Sequence, residues 1–168
     1  MKKQTILLVD KEKLLLEFIQ QELSDNNYNV ITASNAKEGF DILEKQEVNM
    51  VISDYEIPKI DGLEFLKKVK ITHPDILTIM ITEQADIDLA IKAINEAGVY
   101  KFILKPWDDI KLKTTIKRAL ELLQVIKERD GLSQKVKSHE TILKELEKRY
   151  PGITKIERDE DGYILSND

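Results

Sequence analysis

The sequence predicts an α/β protein with a doubly wound, five-stranded parallel sheet, and two observations carry that prediction. From residue 1 to about 129, short apolar runs alternate with segments whose apolar residues recur at helical spacing. The first run, Ile6–Val9, is apolar at every position, as strands covered on both faces are. Crossovers in such a sheet are right-handed, and ligands bind in the crevice outside the carboxyl ends of the strands.

Taken in order, the strand-like runs are Ile6–Val9, Val30–Thr32, Met50–Ile52, Leu77–Ile81 and Phe102–Leu104. Between them, Leu15/Phe18/Ile19/Leu23, Ala36/Phe40/Leu43, Leu63/Leu66/Val69 and Ile87/Ala90/Ile91/Ile94 mark the apolar stripes of four helices. Asn35 and Asp86 stand where N-caps belong. After Asp109 a fifth helix is predicted from Leu112, Ile116, Ala119, Leu123 and Ile126, broken at Asp130–Gly131 because glycine costs a helix interior about 1 kcal/mol. A second stretch restarts with Leu132, Val136, His139, Leu143, Leu146 and Tyr150 at heptad spacing, a coiled-coil candidate. In the tail, "DEDG" supplies a turn between two strand-like runs, which predicts a small hairpin docked on a helix or on a partner chain. The expected organisation is residues 1–128 as the sheet domain, 129–150 as a helical extension and 151–168 as the hairpin.

Composition narrows the function. With 42% apolar and 34% charged residues the chain is of globular type, and no apolar run approaches the length of a membrane span. The N-terminal lysines precede a run too short for a signal peptide, so a cytoplasmic protein with no membrane partner is expected. There is no cysteine, which removes disulfides, thiolate metal sites and cysteine nucleophiles. The net charge of −5 and the lack of a helix-turn-helix pattern after residue 125 argue against nucleic acid as a partner. His73 and His139 stand far from any metal-ligand spacing.

The strand ends carry the chemistry. The first run ends in Asp10, the third in "ISD" at Asp54, the fourth in "MIT" at Thr82 and the fifth in "ILKP" at Lys105. Each residue alone has a bland reading as a turn cap, a strand residue or a solvated charge. All four in phase at one edge of a sheet suit phosphoryl transfer to a carboxylate. Asp54 would be the nucleophile, and the negative charge on the transferring group needs a cation on one side and donors on the other. Mg²⁺ held by carboxylates and phosphate oxygens would supply the first, and Lys105 and Thr82 the second.

These motifs resemble the receiver domain of two-component response regulators. The resemblance covers residues 4 to about 125 and rests on "LLVDKE", "VISDYEIPKIDG", "IMIT" and "FILKPW". It implies a flavodoxin-like sheet of strand order 2-1-3-4-5, with Asp54 as the phosphorylated aspartate and Asp10 as the first acid of an acidic pair. It further implies Thr82 as the switch hydroxyl, Phe102 as the switch aromatic and Lys105–Pro106 as a lysine followed by a cis proline. Mg²⁺ would be held by Asp10, Asp54 and the backbone carbonyl of Glu56. The phosphoryl donor would be a sensor histidine kinase or phosphotransfer protein, with no separate enzyme domain. The output would pass through the face of the fourth helix, fifth strand and fifth helix, with a homodimer through Ile116–Ile126 or Leu132–Tyr150. An FMN site on the same fold would want a hydroxyl- and glycine-rich loop after the first strand, where Asp10 and Glu12 would repel a phosphate.

Two positions depart from the family pattern. Lys11 stands where a second, metal-binding acid is normal, and Glu83 where a small residue usually follows the threonine. Three outcomes are open: Asp10, Asp54 and Glu12 still hold Mg²⁺ weakly; Lys11 acts as a built-in cation; or the site is degenerate and the domain is a phosphorylation-independent interaction and dimerisation module. Glu56 and Gln84, two residues past Asp54 and Thr82, occupy positions that in the family influence phosphoryl lifetime. "KSHETIL" resembles the histidine box of sensor kinases, but the heptad puts His139 on the apolar stripe, as a packed seam residue.

Overall fold

The chain is described from a computed structural model covering residues 3–24, 28–84 and 86–149, without the side chains of 132–143, 145 and 146. Ten elements follow in order: β1 (Thr5–Val9), α1 (Lys13–Ser24), β2 (Asn29–Ala33), α2 (Ala36–Lys45), β3 (Met50–Asp54), α3 (Gly62–Thr72), β4 (Leu77–Thr82), α4 (Ile87–Asn95), β5 (Lys101–Leu104) and α5 (Asp109–Arg149). The strands form one parallel sheet in the order β2-β1-β3-β4-β5, so the α/β doubly wound expectation holds. The direction of strand addition reverses between β1 and β3, which opens the crevice at their carboxyl ends.

Alternate strand residues enter two separate cores because successive side chains point to opposite faces. Leu7, Val9, Val51 and Met80 pack with Phe65, Leu66, Val69, Leu89 and Ala93 on one face. Ile6, Leu8, Met50, Ile52, Ile79 and Ile81 pack with Leu16, Ile19, Leu23, Ile116 and Leu120 on the other. Each fully buried aliphatic side chain stabilises by roughly 1.5–3 kcal/mol relative to exposure. The expected caps are present: Asn35 accepts from the Glu38 N–H, and Asp86 from those of Asp88 and Leu89. Asp61 caps α3 in the same way and had no counterpart in the sequence reading.

Three expectations are corrected. In α4 the isoleucine stripe faces out: Ile87, Ile91 and Ile94 are 78%, 50% and 54% exposed, while Leu89 and Ala93 are buried. Leu89 and Ala93 stand four apart, as Ile87 and Ile91 do, and Ala97, just past the end of α4, is buried in the same core. Second, α5 continues through Asp130–Gly131 without a break, because the cost of a single glycine is only about 1 kcal/mol in a helix of 41 residues. Third, Ile116, Ala119 and Leu123 are buried against the sheet, so that part of the expected dimer seam is already used by the domain's own core.

Contacts divide the chain into two compact units, Met1–Leu123 and Gln124–Asp168. The expected hairpin at 151–168 and the side chain of His139 lie outside what is described. No helix among the described residues is long and apolar enough to cross a membrane.

Candidate functional site

Backbone geometry at the strand ends sets the site. Asp10 follows β1 and extends its ladder, donating its N–H to the Ala33 carbonyl at 3.2 Å. Its Oδ1 then accepts from the Glu12 N–H at 2.8 Å, the local turn that aspartate favours, leaving Oδ2 for other partners. Asp54 is the last residue of β3, and its Oδ1 accepts from the Glu56 N–H at 3.4 Å. Behind it, the Gly62 N–H donates to the Tyr55 carbonyl at 2.6 Å, and a Cβ on Gly62 would strike the Asp54 carbonyl oxygen. Glycine is therefore required where α3 begins against the end of β3.

Lys105 follows β5, which pairs with β4, and its N–H donates to the Thr82 carbonyl at 2.8 Å. Its Nζ reaches across the sheet edge to Asp10 Oδ2 and Asp54 Oδ2, both at 3.1 Å. The Lys105–Pro106 bond is cis, as the resemblance implied. Thr82 is buried, its Oγ1 accepting from the Gln84 N–H at 3.1 Å. Phe102 is half-buried against the core that contains Met80, Leu89 and Ala93. Asp10, Asp54 and Lys105 are thus brought into direct contact, with Thr82 next to them on β4.

The electrostatics are those of two buried carboxylates sharing one ammonium, Asp10 and Asp54 each being 6% exposed. Burial pushes the Asp54 carboxyl above the usual carboxylate range and the like charge of Asp10 adds to this, outweighing the Lys105 hydrogen bond and charge. For Lys105 burial is the largest single influence and opposes the charge. Its hydrogen bonds to Asp10 and Asp54, with their charges, nevertheless hold its pKa above the ordinary value.

Lys11 does not enter this cluster. Its Nζ donates to Glu56 Oε2 at 2.9 Å, and the Gln84 amide donates to Glu56 Oε1 at 3.1 Å. The Glu56 carboxyl lies below its usual range, held there first by the Lys11 hydrogen bond and then by Gln84. Three loops are thereby tied together beside Asp54. Sequence reading foresaw neither the Glu56 carboxylate as the partner of Lys11 nor the Gln84 amide as the second partner of that carboxylate. A signal existed: both stand two residues past a strand end, on adjacent strands, and so face each other. Glu83 is exposed and lines an open groove of ≈ 530 Å³ beside the cluster, together with Glu12, Asp109 and the apolar Leu15, Phe18, Pro106 and Trp107.

As donors, the two carboxylates are hard oxygen ligands of the kind Mg²⁺ takes while retaining waters, so the residues present fit that ion. They fit it with two carboxylates and no third acid. Among the described residues no cluster of three acidic or histidine side chains could hold a metal.

A parallel sheet of this order with a lysine-bridged pair of aspartates at its switch point defines a receiver-type signalling domain. The family model of the response regulator receiver domain matches residues 6–117, and the chain belongs to that family. Receiver domains generally bind Mg²⁺ at the phosphorylation site. Among curated relatives, the hydrogenase transcriptional regulatory protein HoxA of Cupriavidus necator is 37% identical over 71% of this chain and 25% of its own length. The transcriptional regulatory protein GlrR of Escherichia coli is 33% identical over 69% of this chain and 26% of its own length. The chain therefore spans about a quarter of these relatives. Among solved structures, the signal receiver domain of an HD domain-containing protein from Pseudomonas fluorescens Pf-5 superimposes with a TM-score of 0.73, at 35% identity over 77% of this chain and 95% of that one. A CheY-like receiver domain from Methanospirillum hungatei JF-1 gives 0.70, at 29% identity over 73% and 98%.

Proposed function

We infer that this chain is a phosphoacceptor: Asp54 takes a phosphoryl group from a sensor histidine kinase or phosphotransfer protein and the domain changes its interaction surface in response. The observation that carries this is the single Lys105 ammonium shared by Asp10 and Asp54 at the sheet's switch point. A structural ion pair has no need of a second buried acid, whereas an acceptor site needs charge held ready for incoming phosphoryl oxygens.

The roles follow from position. Asp54 is the nucleophile, with its Oδ2 held by Lys105. Lys105 stays to meet the charge that arrives, and the Thr82 hydroxyl, beside it on β4, is the donor for a phosphoryl oxygen. A Thr82 drawn towards the phosphoryl group leaves space for Phe102, which biases a two-state equilibrium. Mg²⁺ would be held by Asp10, Asp54 and the Glu56 backbone carbonyl, and when bound it supplies neutralisation of phosphoryl charge. A cytoplasmic location, a dimeric output and any partner of a longer protein belong to the same proposal. The relatives' names as transcriptional regulators leave a nucleic-acid role open for such a protein, while the acidic charge of these residues favours protein partners.

The test is intact-mass measurement after incubation with acetyl phosphate and Mg²⁺, on wild type and Asp54→Asn. One added phosphoryl group in the wild type and none in the variant is the expected outcome. A wild type that takes none, beside a receiver that does under the same conditions, would leave the phosphorylation-independent interaction module as the function.

A further inference from the structure

We propose that Lys11 is a mobile counter-ion for the phosphoryl group: its ammonium rests on Glu56 and transfers to the phosphoryl oxygens when Asp54 is phosphorylated, so that the reaction proceeds without added metal. This deepens the reading of Asp54 as the phosphoacceptor and rests on it.

Position is the first argument. Lys11 is the chain neighbour of Asp10, and its present partner Glu56 donates its own backbone N–H to Asp54 Oδ1. The ammonium is therefore parked one hydrogen-bonded residue away from the acceptor. The strength of the tether is the second. The Lys11–Glu56 pair is 47% and 53% exposed, and ion pairs so open to water hold weakly. A phosphoryl group offers two charges and three acceptor oxygens against one carboxylate. Lysine suits the exchange, being a point charge with three donors on a flexible stem. Third, Glu56 has a partner to keep when Lys11 leaves, because the Gln84 amide already donates to Oε1.

Charge supply is the fourth argument. Before transfer Asp10 and Asp54 share Lys105. Afterwards the acyl phosphate carries two negative charges where the Asp54 carboxylate carried one, and Lys11 is a nearby cation paired with an exposed carboxylate. In the transfer from acetyl phosphate, an Asp54 carboxylate oxygen attacks phosphorus. A new O–P bond forms, the P–O bond to the acetyl group breaks, and acetate departs with that electron pair. No oxidation and no net proton transfer take place.

The opposite view is that Lys11, Glu56 and Gln84 form a bar across the site. The two views predict opposite signs. The experiment follows acetyl phosphate labelling by intact mass in EDTA and in excess Mg²⁺, for wild type, Lys11→Met, Lys11→Asp and Glu56→Gln. Trp107 fluorescence measures Mg²⁺ affinity separately, since Trp107 and Lys105 line the same groove. Wild type should be labelled in EDTA, Lys11→Met should be slowed there about tenfold or more, and Glu56→Gln should be accelerated. Lys11→Asp should bind Mg²⁺ about tenfold more tightly and take no label in EDTA.

A wild type labelled only with Mg²⁺ overturns the inference and leaves Asp54 an acceptor. So does a Lys11→Met variant that labels in EDTA as fast as wild type or faster, the sign expected of a removed bar. A wild type that takes no phosphate under either condition removes the acceptor reading and this inference together.

Discussion

Lys105→Met removes the ammonium that Asp10 and Asp54 share and leaves a side chain of similar length. Both carboxylate oxygens lie 3.1 Å from the same nitrogen, so they are no more than about 6 Å apart. At an effective dielectric of about 20, two unit charges at that separation repel by roughly 3 kcal/mol. In the wild type the ammonium offsets this. In the variant either that energy is lost from stability or one carboxylate binds a proton. Asp54 is the one to do so, since burial and Asp10 already hold its carboxyl above the usual range and Lys105 is what opposes them.

A carboxyl whose pKa is higher folded than unfolded binds more protons in the folded state across that interval. Stability then falls as pH rises through the interval and is recovered below the ordinary carboxylate range. The deficit of Lys105→Met should be about 2–3 kcal/mol at pH 7 and shrink by more than half near pH 4. Lys105 itself acts at the alkaline end. Its contribution is present below the ordinary 10.5 and is lost as pH rises through its raised folded value, a loss the variant should lack. Urea unfolding in EDTA, followed by far-ultraviolet circular dichroism at the two pH values, measures this. Equal deficits at both would refute the charge argument. Adding Asp54→Asn to Lys105→Met should recover most of the deficit at pH 7.

Gly62→Ala should cost about 2 kcal/mol or more in the same assay, because its Cβ would lie 2.8 Å from the Tyr55 Cα and 2.9 Å from the Asp54 carbonyl carbon, backbone atoms with nowhere to move. Leu89→Ala should cost roughly 2–3 kcal/mol, whereas Ile91→Ser should stay within about 0.5 kcal/mol; the reverse order would restore the isoleucines as the buried stripe of α4. Gly131→Ala, with nothing within 4 Å of the new Cβ, should raise the helix signal and stabilise by up to about 1 kcal/mol, and no gain would mean that α5 is not helical there in solution.

All five strands were legible because each holds three or more consecutive apolar or β-branched residues between turn-forming segments, a pattern that burial on both faces imposes in β1, β3 and β4. Helix positions were legible too, but in α4 the facing was not. Periodicity reports that apolar residues share a side, and when two stripes have the same period the larger residues attract the assignment. Here the sheet face took Leu89 and Ala93, a stripe with fewer large residues. The break expected at Asp130–Gly131 failed for a related reason. A local cost of about 1 kcal/mol is small against forty other helical residues.

Within the site, legibility followed the backbone. Asp10, Asp54, Thr82 and Lys105 terminate paired parallel strands, so strand order alone brings them to one edge, and their contact could be read from position in the chain. Lys11 could not be read in that way, because its partner depends on side chains that reach sideways between loops. Glu56 is 45 residues away in sequence and Gln84 stands on a third loop. A lysine in place of an acid therefore looks ruinous when judged against Asp10 and Asp54 alone. With a carboxylate beside it that is itself held by an amide, the same lysine keeps its charge out of the cluster while staying within reach of it. On the proposed role of Lys11, what the substitution removes from the site as a metal ligand it returns as a cation already attached to the chain, and metal-free phosphorylation of the Lys11 variants separates that gain from a plain loss.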